Sequence, residues 1–149
     1  MPGSHKLDLS KNQILLLSSN PAETLVLELI LSKHVVLKIV QNLSELQKVL
    51  EESSYDAALC GWSLQPGTWE KALKQVQQYN PDLPVIIFRQ TGDERDWVKV
   101  LEAGAFDLLQ APYEERTIRA ALEHAVASSE ARRLRHIQQP VLQAIASLV

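Results

Sequence analysis

The sequence predicts an α/β protein built on a doubly wound parallel sheet. Five short apolar runs recur along its 149 residues, and segments of helical periodicity separate them. Strands that alternate with helices of about 10 to 15 residues form βα units, and right-handed crossovers place the helices on both faces of the sheet. The apolar runs lie at residues 14–17, 35–40, 57–60, 85–88 and 106–109.

The first two strands and helices have clear boundary signals. The first run contains only Ile and Leu, and this lack of alternation is typical of a strand buried on both faces. Asn20 and Pro21 supply an N-cap and a proline at the first helical position, which predicts a helix to about Lys33. After the second run, which is rich in β-branched residues, the capping-box sequence Ser-Glu-Leu-Gln predicts that Ser44 caps the second helix.

The second half of the chain repeats this pattern. Small residues form the third run, a Pro-Gly turn follows it, and the helix after that loop ends at Asn80. Thr91 begins the segment that opens the fourth helix, and Gly104 fits the position just after the end of that helix. Beyond the fifth run, a long helical pattern extends from about Glu114 towards Arg135.

Composition narrows the range of functions and locations. The chain is 46% hydrophobic and 22% charged, and its formal net charge of -3 argues against general affinity for nucleic acid. Cys60 is the only cysteine, which excludes an internal disulfide and argues against a cysteine-based metal site. No apolar stretch approaches the roughly 20 residues that span a bilayer, and the N-terminus lacks a secretory signal. We therefore expect a cytoplasmic protein that does not contact a membrane.

Five motifs in register resemble the receiver domain of two-component response regulators. They are Ile14-Leu-Leu-Leu17 with Asn20-Pro21, Tyr55-Asp56-Ala-Ala-Leu59, Pro81-Asp-Leu-Pro-Val-Ile86, Leu101-Glu-Ala-Gly-Ala-Phe-Asp107 and Pro112-Tyr113. The resemblance implies a flavodoxin-like sheet with strand order 2-1-3-4-5 and a cis peptide bond before Pro112. The helical pattern after the fifth strand runs past the end of this resemblance, which predicts an extended C-terminal helix. The resemblance also divides the chain into a tail at 1–12, a receiver-like domain at 13–126, and a helical extension or linker at 127–149.

The resemblance implies a phosphorylation site whose five functional positions are all altered here. In receivers, two acidic residues hold Mg²⁺, an Asp accepts the phosphoryl group, and a Thr or Ser and a Lys contact its oxygens. The corresponding residues are Ser18, Ser19, Gly61, Arg89 and Ala111. Glycine cannot form an acyl phosphate, and neutral hydroxyls do not compensate the charge of Mg²⁺. We therefore expect a binding module that is not an enzyme and that holds no metal and no cofactor.

Two residues near this altered site leave alternatives open. Arg89 either binds an anion or a partner carboxylate, or it pairs with Asp93 or Glu94 of the same chain or with solvent. Trp62 either serves as an interaction hot spot or fills the vacated pocket.

Residues on the fourth helix and the fifth strand are candidates for protein interaction. Many receivers dimerise through this face by an ordered set of charges, and this chain resembles part of that set. The candidates are Trp97, Lys99, Glu102, Asp107 and Leu108. The set is incomplete, because an arginine expected on the fifth helix is replaced by Ala121 and the usual strand aromatic by Leu108.

The C-terminal extension has an apolar stripe that a complete receiver core does not need. Its members recur at steps of three and four residues and are Leu134, Ile137, Val141, Ala144 or Ile145, and Leu148. Another surface must bury such a stripe, and the alternatives are the domain's own surface, a second copy of the chain or a following domain. Pro140 is a point where the helix bends or restarts. The cluster Arg132, Arg133 and Arg135 is expected on a solvated helix face, and the alternative is that it contacts an acidic surface.

The sequence thus favours a phosphorylation-independent signalling module that binds protein. The expected partner is a second copy, in a homodimer, or the output domain of a longer signalling protein, with no nucleic acid bound by this domain. Two alternatives remain at this point. One is a small-molecule or nucleotide sensor that uses the vacated crevice at the edge of the sheet, and the other is a phospho-accepting receiver with atypical residues.

Overall fold

The computed structural model describes residues 9–65 and 67–148, with side chains up to residue 134. Its strands are β1 (Gln13–Leu17), β2 (Val36–Val40), β3 (Ala57–Gly61), β4 (Val85–Arg89) and β5 (Asp107–Gln110). Its helices are α1 (Pro21–Leu31), α2 (Leu43–Glu52), α3 (Trp69–Tyr79), α4 (Arg95–Glu102) and α5 (Glu115–Leu148). The strands form one parallel sheet in the order β2-β1-β3-β4-β5, which confirms the predicted fold class and strand order.

Burial explains why most of the apolar runs lack alternation. Every residue of β3 and β4 is buried, as is every residue of β1 after the first, because helices cover both faces of these strands. The edge strand β2 alternates between exposed and half-buried residues before its buried last residue, and Val36 is 51% exposed. The three central strands therefore form the core of the sheet.

Two apolar clusters fill the space between the sheet and its helices. One cluster joins the sheet to α2, α3 and α4, and includes Leu73 and Val100. The other joins the sheet to α1 and α5, and includes Leu27 and Leu122. Leu9, which the sequence analysis placed in the tail, packs into the second cluster.

The helix boundaries follow local hydrogen bonds. The side chain of Asn20 accepts from the N–H of Glu23 at 3.1 Å, as the sequence predicts for an N-cap. The expectation that Ser44 caps α2 is wrong. Asn42 is the cap and accepts from the N–H of Glu45 at 2.9 Å, because the glutamate then stands at the third helical position and its carboxylate accepts from the N–H of Gln41.

Local interactions and backbone conformation also set the start and the end of α4. The helix begins at Arg95, four residues after Thr91, and the carboxylate of Asp93 accepts from the N–H of Arg95 at 2.9 Å. Gly104 follows the last residues of the helix with a φ of 104°, a left-handed conformation that favours glycine. Its predicted position after the helix end is confirmed.

The C-terminal helix α5 is much longer than the sheet that it covers. It has 34 residues, or about 50 Å at about 1.5 Å per residue, and it continues without a break through Pro140. Ile118, Leu122 and Ala125 pack onto the core near its start. Within the described part of the chain, every helix is too short or too polar to cross a lipid bilayer.

Candidate functional site

The structure places the five residues that the resemblance assigns to the phosphorylation site at one edge of the sheet. Ser18 and Ser19 follow β1, Gly61 ends β3, Arg89 ends β4 and Ala111 follows β5. Because parallel strands have their carboxyl ends at the same edge, these residues surround the crevice where doubly wound sheets bind ligands. The peptide bond that follows Ala111 is cis, as the resemblance implies.

The two serines hold loops together at this edge. Ser18 is buried, and its hydroxyl donates to the carbonyl oxygen of Asn20 at 3.4 Å. The hydroxyl of Ser19 donates to the carbonyl oxygen of Gln41 at 2.6 Å and accepts from the N–H of Gln65 at 3.0 Å. Ser19 therefore joins the loop after β1 to the loops after β2 and β3.

Gly61 leaves the end of β3 without a side chain. A Cβ atom at this position would lie 3.4 Å from the Cζ atom of Phe88, which is an ordinary contact. The packing around Gly61 therefore leaves room for the first carbon of a side chain, so sterics do not require a glycine at this position.

Arg89 is 5% exposed, and each nitrogen of its guanidinium group donates a hydrogen bond within the protein. Its Nη1 atom donates to the carboxylate of Asp96 at 2.9 Å, and its Nη2 atom donates to the carbonyl oxygen of Asp93 at 2.8 Å. Its Nε atom donates to the side-chain oxygen of Gln110 at 3.3 Å. The arginine thus pairs internally, and the carboxylate that it binds is that of Asp96 rather than Asp93 or Glu94.

Trp62 and Gly92 complete the environment of this guanidinium group. The Cζ atom of Arg89 lies 4.8 Å from the centroid of the Trp62 ring, within the range of a cation–π interaction. Trp62 is half-buried and also contacts Trp69, with ring centroids 5.5 Å apart. A Cβ atom at Gly92 would lie 2.2 Å from the Cζ atom of Arg89, so the buried arginine occupies the space of a side chain.

The edge residues do not fit the Mg²⁺ ion that the resemblance implies. Mg²⁺ in proteins is held by carboxylate oxygens, whereas the hydroxyls of Ser18 and Ser19 are neutral and already used in the loops. The guanidinium group of Arg89 adds positive charge at the same edge. Among the described residues, no three His, Cys, Asp or Glu side chains come together as metal ligands.

A cleft of about 660 Å³ lies between α4 and β5, next to the guanidinium group. Its lining brings together two of the predicted interaction residues, Trp97 and Leu108, with Arg89, Gly92, Glu94 and Gln110. Trp97 is 49% exposed and Leu108 is half-buried against the core. These two residues therefore share one surface.

The other predicted residues of this face have separate environments. The Nζ atom of Lys99 lies 3.8 Å from a carboxylate oxygen of Glu70 on α3, and Glu102 is exposed. The carboxylate of Asp107 accepts from the N–H of Leu108 at 2.8 Å. The structure therefore shows no contact that joins these three charged residues into one set.

The C-terminal candidates lie along α5. Leu134 is 57% exposed, whereas the side chains of Ile137 and Val141 lie outside the described part of the chain. Arg133 does not belong to a purely solvated face, because its Nη2 atom donates to the carboxylate of Asp56 at 2.7 Å. Sequence reasoning missed this ion pair, which joins residues far apart along the chain.

Asp56 lies at the amino end of β3 and receives three hydrogen bonds. Besides Arg133, the side chain of Asn12 donates to its carboxylate at 3.0 Å, and the N–H of Gln13 donates at 2.9 Å. Burial raises the pKa of the Asp56 carboxyl, but these hydrogen bonds outweigh burial and hold the pKa below its ordinary value of 3.8. The carboxylate is thus fixed far from the edge that carries Gly61.

Comparisons with known proteins agree with the fold. One similar solved structure is the signal receiver domain of an HD domain-containing protein from Pseudomonas fluorescens Pf-5. It has 18% identity and a TM-score of 0.76, with 91% of this chain and 99% of that chain covered. Another is the receiver domain of the sensor histidine kinase PA1611 from Pseudomonas aeruginosa PAO1, solved with a coordinated magnesium ion. It has 21% identity and a TM-score of 0.71, with 79% of this chain and 99% of that chain covered.

Full-length FixJ from B. japonicum is also similar, at 22% identity and a TM-score of 0.74, with 93% of this chain and 69% of that chain covered. A search of curated proteins gave no match. The family model described as the response regulator receiver domain matches residues 14–123, which is most of the chain. The chain therefore belongs to the response regulator receiver domain family.

Proposed function

We propose that this receiver domain works in two-component-type signalling as a protein-binding module that does not accept a phosphoryl group. The observation that carries the proposal is Gly61 at the carboxyl end of β3, where glycine offers no carboxylate to attack phosphorus. Asp56 cannot replace it. At about 3.3 Å per residue it lies roughly 17 Å away along the strand, held by Asn12 and Gln13.

The electrostatics of the edge support the same proposal. Phosphoryl transfer depends on metal ions and cations that neutralise the charge of the transferred group. Arg89 is a cation at the edge, but its donor nitrogens are bonded to Asp96, Asp93 and Gln110. These bonds hold the guanidinium group in place within the protein, and the neighbouring serine hydroxyls supply no negative charge for Mg²⁺.

The exposed surface of α4 supports protein as the class of partner. Trp97, Val98 and Leu101 are exposed on this one helix, and Trp97 lines the cleft between α4 and β5. Exposed aromatic and aliphatic side chains grouped on one element are typical of protein-binding surfaces. The partner is a second copy or an output domain in the cytoplasm, and the net charge of -3 favours protein over nucleic acid.

Tryptophan fluorescence during titration with Mg²⁺ and beryllofluoride tests this proposal. Beryllofluoride mimics an acyl phosphate, and Trp62 follows Gly61 and stacks on Arg89, so its emission reports on binding at the edge. We expect no saturable change. A saturable change that requires both components would contradict the proposal, as would a phosphoryl adduct in the intact mass after incubation with acetyl phosphate.

A variant that restores the acidic and basic residues is the matched control. It carries Ser18→Asp, Ser19→Asp, Gly61→Asp, Arg89→Thr and Ala111→Lys. We expect this variant to respond to Mg²⁺ with beryllofluoride, because it regains metal ligands, an acceptor carboxylate and free donors. Thermal melting of both proteins confirms that each is folded under the conditions of the titration.

A further inference from the structure

The outer face of α5 exposes a stripe of small and apolar side chains. Its members are Ala120, His124, Ala127, Ala131 and Leu134, all of them exposed. They follow one another at steps of four, three, four and three residues. The buried residues Ile118, Leu122, Ala125 and Ser129 lie on the opposite side of the helix, against the core.

This spacing is that of the seam of a coiled coil. In a heptad abcdefg, the described residues His124 and Ala131 take a positions, and Ala120, Ala127 and Leu134 take d positions. The sequence continues the d positions at residues 141 and 148 with valine and leucine. The seam therefore begins inside the receiver domain and runs into the helical extension.

Charges beside the seam fit one relative orientation of two such helices. Glu123 and Glu130 take g positions, and Arg135 takes an e position by its place in the sequence. In a parallel pair, each g residue faces the e′ residue five positions later, which sets Glu130 opposite Arg135 of the other helix. An antiparallel pair would set glutamate against glutamate, so the charge pattern favours parallel helices.

Helix α1, which packs against α5, also exposes apolar side chains. Helix α1 contacts α5 on the same side of the sheet, and Leu25 and Leu29 of α1 are exposed. Exposed apolar side chains on two helices that pack together are typical of a surface that a partner covers.

We propose that a second copy of this chain docks on the stripe, so that the two α5 helices form a parallel, in-register coiled coil from Ala120 onwards. The inference rests on the protein-binding role proposed above and names a second copy as one partner, with a contact surface on α5 that is separate from the exposed residues of α4. Dimerisation requires neither Mg²⁺ nor a phosphoryl group. A monomer would therefore overturn this inference alone, whereas the fluorescence titration decides on phosphorylation.

Sedimentation equilibrium of the full chain tests the contact surface. We expect a dimer whose dissociation constant rises at least about tenfold in Ala131→Glu/Leu134→Glu, because two unpaired carboxylates per chain enter the seam. Both residues are exposed, so the variant keeps its core, and thermal melting verifies this. Val98→Glu on exposed α4 is the matched control and should leave the dimer intact.

Two results would overturn the proposal. One is a monomeric wild-type chain at every concentration up to its solubility limit. The other is a dimer that persists in Ala131→Glu/Leu134→Glu and dissociates in Val98→Glu, since the contact surface would then be α4.

Disulfide cross-linking tests the orientation. Ala127→Cys should form an intermolecular disulfide under mild oxidation, because equivalent d residues face each other only in a parallel, in-register pair. Cys60 is buried, so the wild-type chain is the control that should not cross-link. A dimer in which Ala127→Cys does not cross-link would overturn the parallel arrangement.

Charge reversal tests the proposed pair. Glu130→Lys should weaken the dimer about two- to tenfold, and adding Arg135→Glu should recover most of the loss. A double variant no tighter than Glu130→Lys alone would overturn the pairing of these two residues.

Discussion

Arg89 shows how a charged side chain can be accommodated almost entirely within the edge of a sheet. Burial of an unpaired guanidinium group is costly, but each of its donor nitrogens here has an acceptor. The carboxylate of Asp96 supplies the opposite charge, and the face of Trp62 covers the group. The arginine thereby connects β4 to α4, to β5 and to the loop after β3.

Replacement of Arg89 by methionine should test this role, because it keeps the length of the side chain and removes the donors. We expect the free energy of unfolding to fall by about 2 kcal/mol, the scale of hydrogen bonds to a charged group. Urea denaturation measures the loss. Arg95→Met is the control, because Arg95 is 91% exposed and its surface pair with Asp93 contributes about 0.5 kcal/mol or less. Equal losses in the two variants would contradict the role of Arg89.

At the scale of elements, Asp56 connects the middle of α5 to the amino edge of the sheet. Its carboxylate accepts from Arg133 on α5, from Asn12 before β1 and from the first N–H of β1. The start of β1, the residue before β3 and the middle of α5 thus meet at one carboxylate. The long helix is held near its midpoint as well as by its apolar contacts with the sheet.

The depressed pKa of Asp56 gives this connection a predictable pH dependence. Because the folded state favours the ionised carboxylate, the stabilisation is present above the ordinary pKa of 3.8 and is lost as pH falls through the lower folded value. We expect Asp56→Asn to lower the free energy of unfolding by about 1 kcal/mol at neutral pH. The difference from the wild type should shrink in acid.

Urea denaturation across a pH series checks this expectation, with Glu102→Gln on the exposed end of α4 as the control. A difference between Asp56→Asn and the wild type that stays constant down to the lowest pH would show that the charge of Asp56 is not what stabilises the fold.

At the scale of the molecule, stability should decrease from the centre of the sheet to its edges. The strands β1, β3 and β4 have neighbours on both sides and apolar clusters on both faces. The strand β2 has one neighbour and exposes Val36. Backbone groups in such an edge strand open more easily to solvent than those in the interior.

Hydrogen exchange measured by mass spectrometry should reveal this order. Peptides that cover β3 and β4 should exchange most slowly, and the peptide that covers β2 should exchange faster by roughly a factor of ten or more. Exchange in β2 as slow as in β3 would mean that the whole sheet opens only by global unfolding.

The fold could be predicted from the sequence because strands that are buried on both faces appear as apolar runs without alternation. Periodicity alone predicts a parallel sheet with helices on both sides, whereas the strand order required the resemblance to receivers. The cap of α2 was misassigned to Ser44 because its capping-box sequence lies two residues after the actual cap, Asn42. Local rules of this kind locate a helix start to within a few residues.

Only part of the candidate site could be predicted from the sequence. Motif spacing located Arg89 at the edge, but its partners Asp96 and Gln110 lie on other elements, so identifying them requires knowing how far each side chain reaches. The pair of Asp56 with Arg133 spans 77 positions of the chain. An arginine on a long polar helix has no sequence signal that distinguishes an ion pair of this kind from solvation.

The contact between Gly92 and Arg89 has a consequence for the history of the family. Since a Cβ atom at Gly92 would lie within 2.2 Å of the guanidinium carbon, the two positions are not free to diverge separately. Close homologues that retain the arginine should also retain the glycine. Homologues with a shorter side chain in place of the arginine can carry a larger residue at the glycine position. The two positions are therefore expected to vary together among homologues of this chain.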